Sequence, residues 1–183
     1  MELQGGLRSF LPSVQRGAVV VVDGPIGSGV TSAVLEIAAA ATAAGEWAAL
    51  VDGTGTLGGL AAAEAGVDLA RFAVVHEIPR DRWATVVAAL LDGVSVVIAE
   101  LPRSVRVGDA RRLAARARER AAVLVVFASA AQAWPVEAAV RIHASGGAWI
   151  GIGVGEGTLQ ARGPSVEVVG RGMQQLSRLG LAG

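Results

Sequence analysis

Five short apolar runs, spaced widely enough to hold a helix between each pair, constrain this chain more than any other feature. They are Ala18–Val22, Trp47–Val51, Phe72–Val75, Val94–Ala99 and Ala122–Ala128. Each reads as a strand, and Ala18–Val22, Val94–Ala99 and Ala122–Ala128 have the nearly continuous apolar pattern of strands buried on both faces. Helical stretches lie between them. Val30–Ala44 is stopped by Gly45, and Leu57–Ala65 is followed by Gly66. Trp83–Leu91 is broken by Asp92-Gly93, and Asp109–Arg120 is strongly charged. Connections of this length suit crossovers between parallel strands. The alternation predicts an α/β fold with a mainly parallel twisted sheet and helices on both faces. From Val140 the texture changes to short alternating runs at Val140–Ala144, Trp149–Val154, Thr158–Arg162 and Val166–Val169. These predict C-terminal antiparallel strands that extend the sheet.

At 183 residues the chain is expected to form one domain, with 1–17 as an N-terminal segment and 171–183 as a tail. Leu3, Leu7, Phe10 and Leu11 stand at helical spacing, either packed on the same domain or docked on a partner. There is no lysine, and 16 arginines balance 16 acidic residues to a net charge of zero. That balance excludes general electrostatic adhesion to nucleic acid, so any DNA contact needs a local patch. The absence of cysteine excludes disulfides and thiolate metal sites. His76 and His143 are isolated and read as structural, so no metal is expected. Glu36, Glu46, Asp92 and Glu100 interrupt the apolar runs before a membrane span accumulates, and a cytoplasmic protein is expected.

The first strand runs into a turn, VVVVDGPIGSGVTS at Val19–Ser32. This has the form of a phosphate-binding loop, G-x-x-x-x-G-K-[ST], whose glycines let backbone N–H groups close on phosphate oxygens. Gly24, Gly29 and Thr31 occupy the fixed positions, with Gly27 between them, but Val30 stands where the pattern has lysine. With no other lysine in the chain, none can substitute.

The second concentration of charge is Arg103, Arg106, Arg111, Arg112, Arg116, Arg118 and Arg120. Arg112, Arg116 and Arg120 share one helix face at i, i+4, i+8. A solvated outer face, a partner contact and a phosphate contact remain open as readings. Among the tryptophans, Trp47 and Trp83 fall in strand and helix patterns and are expected in the core. Trp149 begins a strand and could face either way, and Trp134, in a turn before Pro135, is the candidate exposed anchor, with burial against the sheet end as the alternative.

From Gly17 to Gly170 the chain resembles the RecA family core, on three ordered stretches. These are Arg16–Ser32 as strand and phosphate loop, Ala49–Val75 as the next unit with its Ala65-Gly66-Val67-Asp68 turn, and Val94–Glu100 as the Walker B strand. The resemblance implies a RecA-like core in which Glu100 holds the Walker B position. It also implies that Thr54 stands where the family has the glutamate that activates water, and a hydroxyl is a poor base. Asp23 would place negative charge beside bound phosphates unless a cation offsets it. Ser129 and Ala130 replace the family's switch glutamine, and the two DNA loops are reduced to Arg103–Gly108 and a few residues around Gln132–Pro135. The loss of lysine and base together implies no catalytic residue, no ATPase activity and no cofactor, ATP and Mg included.

Within that superfamily the alanine- and arginine-rich texture, above all Pro102–Val126, resembles the ImuA-type proteins of actinobacteria. That resemblance implies a non-catalytic accessory subunit of a damage-inducible mutagenic polymerase complex. Its partner would be an ImuB-like Y-family adaptor, with an error-prone C-family polymerase and the sliding clamp as indirect partners. Alternatives are a regulator binding DNA or RecA filaments through the arginines, a residual nucleotide switch using Gly24–Thr31 and Glu100, and a SulA-like division inhibitor.

Overall fold

The computed structural model describes residues 14–128, 133–145, 149–152, 157–162 and 166–170. The expected N-terminal helix, the 171–183 tail and the Ser129–Ala130 switch position lie outside them. In chain order the elements are β1 (Val19–Asp23), α1 (Val30–Ala43), β2 (Ala48–Val51), α2 (Gly59–Glu64), β3 (Phe72–Val75), α3 (Trp83–Gly93) and β4 (Val96–Glu100). They continue with α4 (Val107–Arg120), β5 (Val123–Ala128), β6 (Val140–Ala144), β7 (Trp149–Ile152), β8 (Gly157–Arg162) and β9 (Val166–Gly170).

Seven strands form one sheet in the order β3-β2-β4-β5-β1-β6-β9, parallel throughout except for the last pair. Strand parity divides the core in two. Val20, Val22, Leu50, Ile98 and Val125 pack with Ala33, Val34, Ile37 and Ala38 of α1 on one face. Val19, Val21, Val97, Leu124 and Val126 pack on the other against Trp83, Val87 and Leu91 of α3 and Leu113 and Ala117 of α4. The α/β class and the mainly parallel sheet covered on both faces are therefore as the sequence predicts. No helix among the described residues is long and apolar enough to cross a membrane.

The expectation of C-terminal antiparallel strands is corrected in part. β6 runs parallel to β1, from Val20 opposite Val140 to Asp23 opposite His143. Only β9 is antiparallel within this sheet, and β7 pairs with β8 in a separate two-stranded sheet. The alternation that suggested antiparallel pairing has another cause. Val140, Ile142 and Ala144 are buried on the α1 side, while Arg141 and His143 are exposed on the face that α4 does not cover. One-sided cover produces a two-residue period whatever the strand direction.

α2 is also shorter than the Leu57–Ala65 expected. The Leu57 N–H is held at 2.9 Å by the Asp52 carboxylate, and Gly58 is extended, so the helix starts only at Gly59.

Candidate functional site

The phosphate-loop-like turn forms at the carboxyl end of β1. Gly24 is required there by close approach, because a Cβ would lie 2.3 Å from the Ala144 carbonyl oxygen and 2.4 Å from Ser28 Oγ. Gly27 and Gly29 have φ of 78° and 100°, in the left-handed region that favours glycine. The Ser28 N–H donates to the Pro25 carbonyl at 3.0 Å, which closes the turn on itself. Ser28 Oγ is buried without a hydrogen-bond partner among the described residues. The motif's glycines thus have structural reasons of their own. Val30 opens α1 with 4% of its surface exposed and belongs to the α1-side core, while Thr31 is exposed. Asp23 acquires nitrogen-bearing neighbours on β6, with His143 Nδ1 at 2.6 Å and an Arg141 guanidinium nitrogen at 3.9 Å.

At the carboxyl ends of β2 and β4 the structure brings Thr54 and Glu100 together. The Thr54 N–H donates to Glu100 Oε2 at 3.0 Å, and the Thr54 hydroxyl hydrogen-bonds Asp52 Oδ1 at 3.0 Å. Asp52, 3% exposed, is the hub of this loop. It also accepts from the N–H groups of Thr54, Gly55 and Leu57, and His76 Nδ1 stands 3.6 Å away. Burial pushes the Asp52 carboxyl up, but the hydrogen bonds from Leu57, Thr54 and Gly55 outweigh it and hold the group below its ordinary range. The sequence reading passed over Asp52, although Asp-Gly-Thr-Gly is a signal for an aspartate that bonds its own loop.

Beside this loop lies a cavity of about 220 Å³ lined by Val51, Gly53, Thr54, Ile78, Arg80, Trp83, Glu100, Leu101, Pro102 and Arg103. None of Gly24 to Thr31 lines it. Trp83 is buried, and its Nε1–H donates to the Glu100 carbonyl at 2.9 Å. Among the described residues, no group of three or more histidines, aspartates or glutamates is placed to hold a metal ion.

The arginine run is split by its partners. Arg116 and Arg120 both bind Asp92 of α3, and Arg112 binds Asp109 one turn back on α4. The guanidiniums of Arg103 and Arg106, in the loop before α4, have no hydrogen-bond or ion-pair partner among the described residues. Asp92 was not legible as a partner because it lies 24 and 28 positions from Arg116 and Arg120.

Two tryptophan expectations are corrected. Trp134 is not an exposed anchor: it is 3% exposed and packs on the α3/α4 side, with its Nε1 unpartnered among the described residues. The chain returning from β5 to β6 folds it against the sheet. Trp47, expected in the core, is 49% exposed, because β2 begins only at Ala48. Trp83 is in the core as expected.

Residues 9–136 match the family model described as the MT3502 N-terminal domain. The uncharacterized protein Rv3395c of Mycobacterium tuberculosis is 38% identical over 128 residues, which cover 68% of this chain and 62% of that protein. The chain thus spans less than two thirds of this relative's length. The family match takes in the β1–α1 turn, the cavity and the α4 arginines, and ends before β6.

Proposed function

The chain belongs to the MT3502 N-terminal domain family, and from that premise we propose that it is a non-catalytic, RecA-like accessory subunit of a mutagenic translesion-synthesis complex. In this reading it docks on an ImuB-like Y-family adaptor and so supports an error-prone C-family polymerase. The observation that carries the non-catalytic part is Val30. Its side chain is packed in the core, so the position of the phosphate-loop lysine is filled by hydrocarbon contacts. Phosphoryl transfer depends on positioned cations and an activated nucleophile. The Thr54 hydroxyl, where the resemblance places the base, is committed to Asp52. The RecA-like part is supported by the parallel sheet, with the glycine turn ending β1 and Glu100 ending β4. The mutasome part rests on the resemblance of Pro102–Val126 to ImuA-type proteins.

A thermal-shift titration with Mg·ATP, beside a pull-down with the C-terminal region of an ImuB-like protein, tests both parts. Retention of the adaptor region with an unchanged melting temperature is the expected result. Ligand binding to the native state stabilises it as RT ln(1 + [L]/Kd), about 2.7 kcal/mol at a hundredfold excess over Kd. A clear shift at millimolar ATP or below would put a nucleotide switch first. Failure to retain the adaptor would remove the mutasome assignment.

A further inference from the structure

The arginines that face solvent without a partner are not on the α4 face that the sequence spacing singles out. Arg80 and Arg103 line the cavity at the ends of β2 and β4, and neither guanidinium has a hydrogen-bond or ion-pair partner among the described residues. The rest of the lining is mostly apolar: Val51, Ile78, Trp83, Leu101 and Pro102. Glu100 adds an acceptor, since its Oε2 takes the Thr54 N–H while its Oε1 has no partner among the described residues. At about 220 Å³ the cavity falls below the roughly 300 Å³ at which ordinary cofactor pockets begin. It has room for one amino-acid side chain. Clefts outside the carboxyl ends of parallel strands are where open α/β sheets bind ligands.

We infer that this cavity seats the carboxyl-terminal residue of a partner protein. Such a residue offers an apolar side chain for the walls, a terminal carboxylate for Arg80 and Arg103, and a backbone N–H for Glu100 Oε1. An arginine–carboxylate contact adds strength and orientation that a neutral amide end cannot match. A bare phosphate has no apolar side chain to fill the walls formed by Val51, Ile78, Trp83, Leu101 and Pro102. The assignment rests on the reading of this chain as a binding subunit and supplies the surface that reading lacks.

The test uses the full chain and fluorescein-labelled octapeptides that differ only in the last residue, leucine, phenylalanine or serine, each as free acid and as amide. Fluorescence polarisation reads binding, and the Trp83 indole N–H resonance reports the site. The leucine and phenylalanine acids should bind and shift that resonance, with the amides about tenfold weaker. Arg103→Ala and Arg80→Ala should each weaken the acids about tenfold without lowering the melting temperature. Arg111→Ala, on α4 outside the cavity, should change nothing. Equal binding of acid and amide overturns the inference. So does displacement of the peptides by inorganic phosphate with no preference at the last residue, and so does no binding at all. The last result leaves the accessory-subunit reading standing. Conversely, loss of adaptor binding with the peptide preference intact removes that reading and keeps the cavity.

Discussion

Asp92 grips Arg116 through both carboxylate oxygens, at 2.6 Å to Nε and 2.5 Å to the second guanidinium nitrogen, and so ties the end of α3 to the middle of α4. Arg120 joins the same carboxylate at 3.0 Å. The face that looks in sequence like a free cationic stripe is in large part an interhelical clamp. Arg116→Ala alone would therefore confuse loss of a DNA contact with loss of this clamp. Asp92→Asn separates them, because it removes the charge that holds both guanidiniums while keeping the side chain's shape and one acceptor oxygen. The variant should melt slightly lower and cling more to single-stranded DNA at low salt than at high salt. Unchanged DNA retention at low salt would mean that the α4 arginines are not a latent phosphate surface.

Acid should weaken the fold through the carboxylates held below their ordinary range, Asp92, Asp52 and the Ser95- and Arg16-bonded Glu46. The Arg116 hydrogen bond, with the charges of Arg116 and Arg120, holds Asp92 below its ordinary range, and the loop N–H groups do the same for buried Asp52. A depressed folded-state pKa gives stability that is fully present above the unfolded value, about 3.9, and lost as pH falls through the folded value. Melting temperature should therefore be flat from pH 7 to about 5 on this account and fall below about 4. Asp92→Asn should make that fall shallower, and an equal slope in the variant would show that Asp92 is not a source of the acid sensitivity.

The two buried tryptophans should respond differently to loss of the indole N–H. Trp83→Phe removes the donor to the Glu100 carbonyl, whereas Trp134→Phe removes an N–H with no partner among the described residues. An unsatisfied buried polar group costs about 1–3 kcal/mol. Trp134→Phe should be the milder change by about 1–2 kcal/mol in urea unfolding. The reverse order would mean that Trp134 Nε1 is bonded in solution.

Glycines of the β1–α1 turn should not be equivalent. Gly24→Ala brings a Cβ onto the Ala144 carbonyl and should cost well over 2 kcal/mol or prevent folding, since backbone cannot yield cheaply. At Gly27 an added Cβ meets nothing within 4 Å, so Gly27→Ala carries only the left-handed conformational cost of about 1–2 kcal/mol. Denaturant midpoints of the two variants give the comparison. Similar losses would contradict the close approach.

Restoring the motif should not restore turnover. Val30→Lys exchanges core packing for an ammonium, at a cost above about 1 kcal/mol. Combined with Thr54→Glu it should still show no ATP hydrolysis above background in a phosphate-release assay. Measurable turnover would mean that the fold retains a working phosphate cradle.

The sequence by itself determined the five parallel strands, their crossover helices and the valine at the position of the phosphate-loop lysine, although β3 at the sheet edge is only partly buried. Continuous apolar runs, helix breakers and a lysine-free composition are local properties, and they read the same before and after folding. Tertiary structure alone decided the direction of β6, the pairing of Asp92 with Arg116 and Arg120, the burial of Trp134 and the cavity beside Glu100. Strand direction depends on which neighbour offers its hydrogen bonds, and β6 finds β1 more than a hundred positions away. An arginine's freedom likewise depends on a carboxylate that another helix delivers. For that reason the regular spacing of Arg112, Arg116 and Arg120 placed them on one face but said nothing of what they hold. Arg80 stood outside every pattern in the sequence and Arg103 was grouped with the α4 run, until the ends of β2 and β4 brought the two to the same cavity.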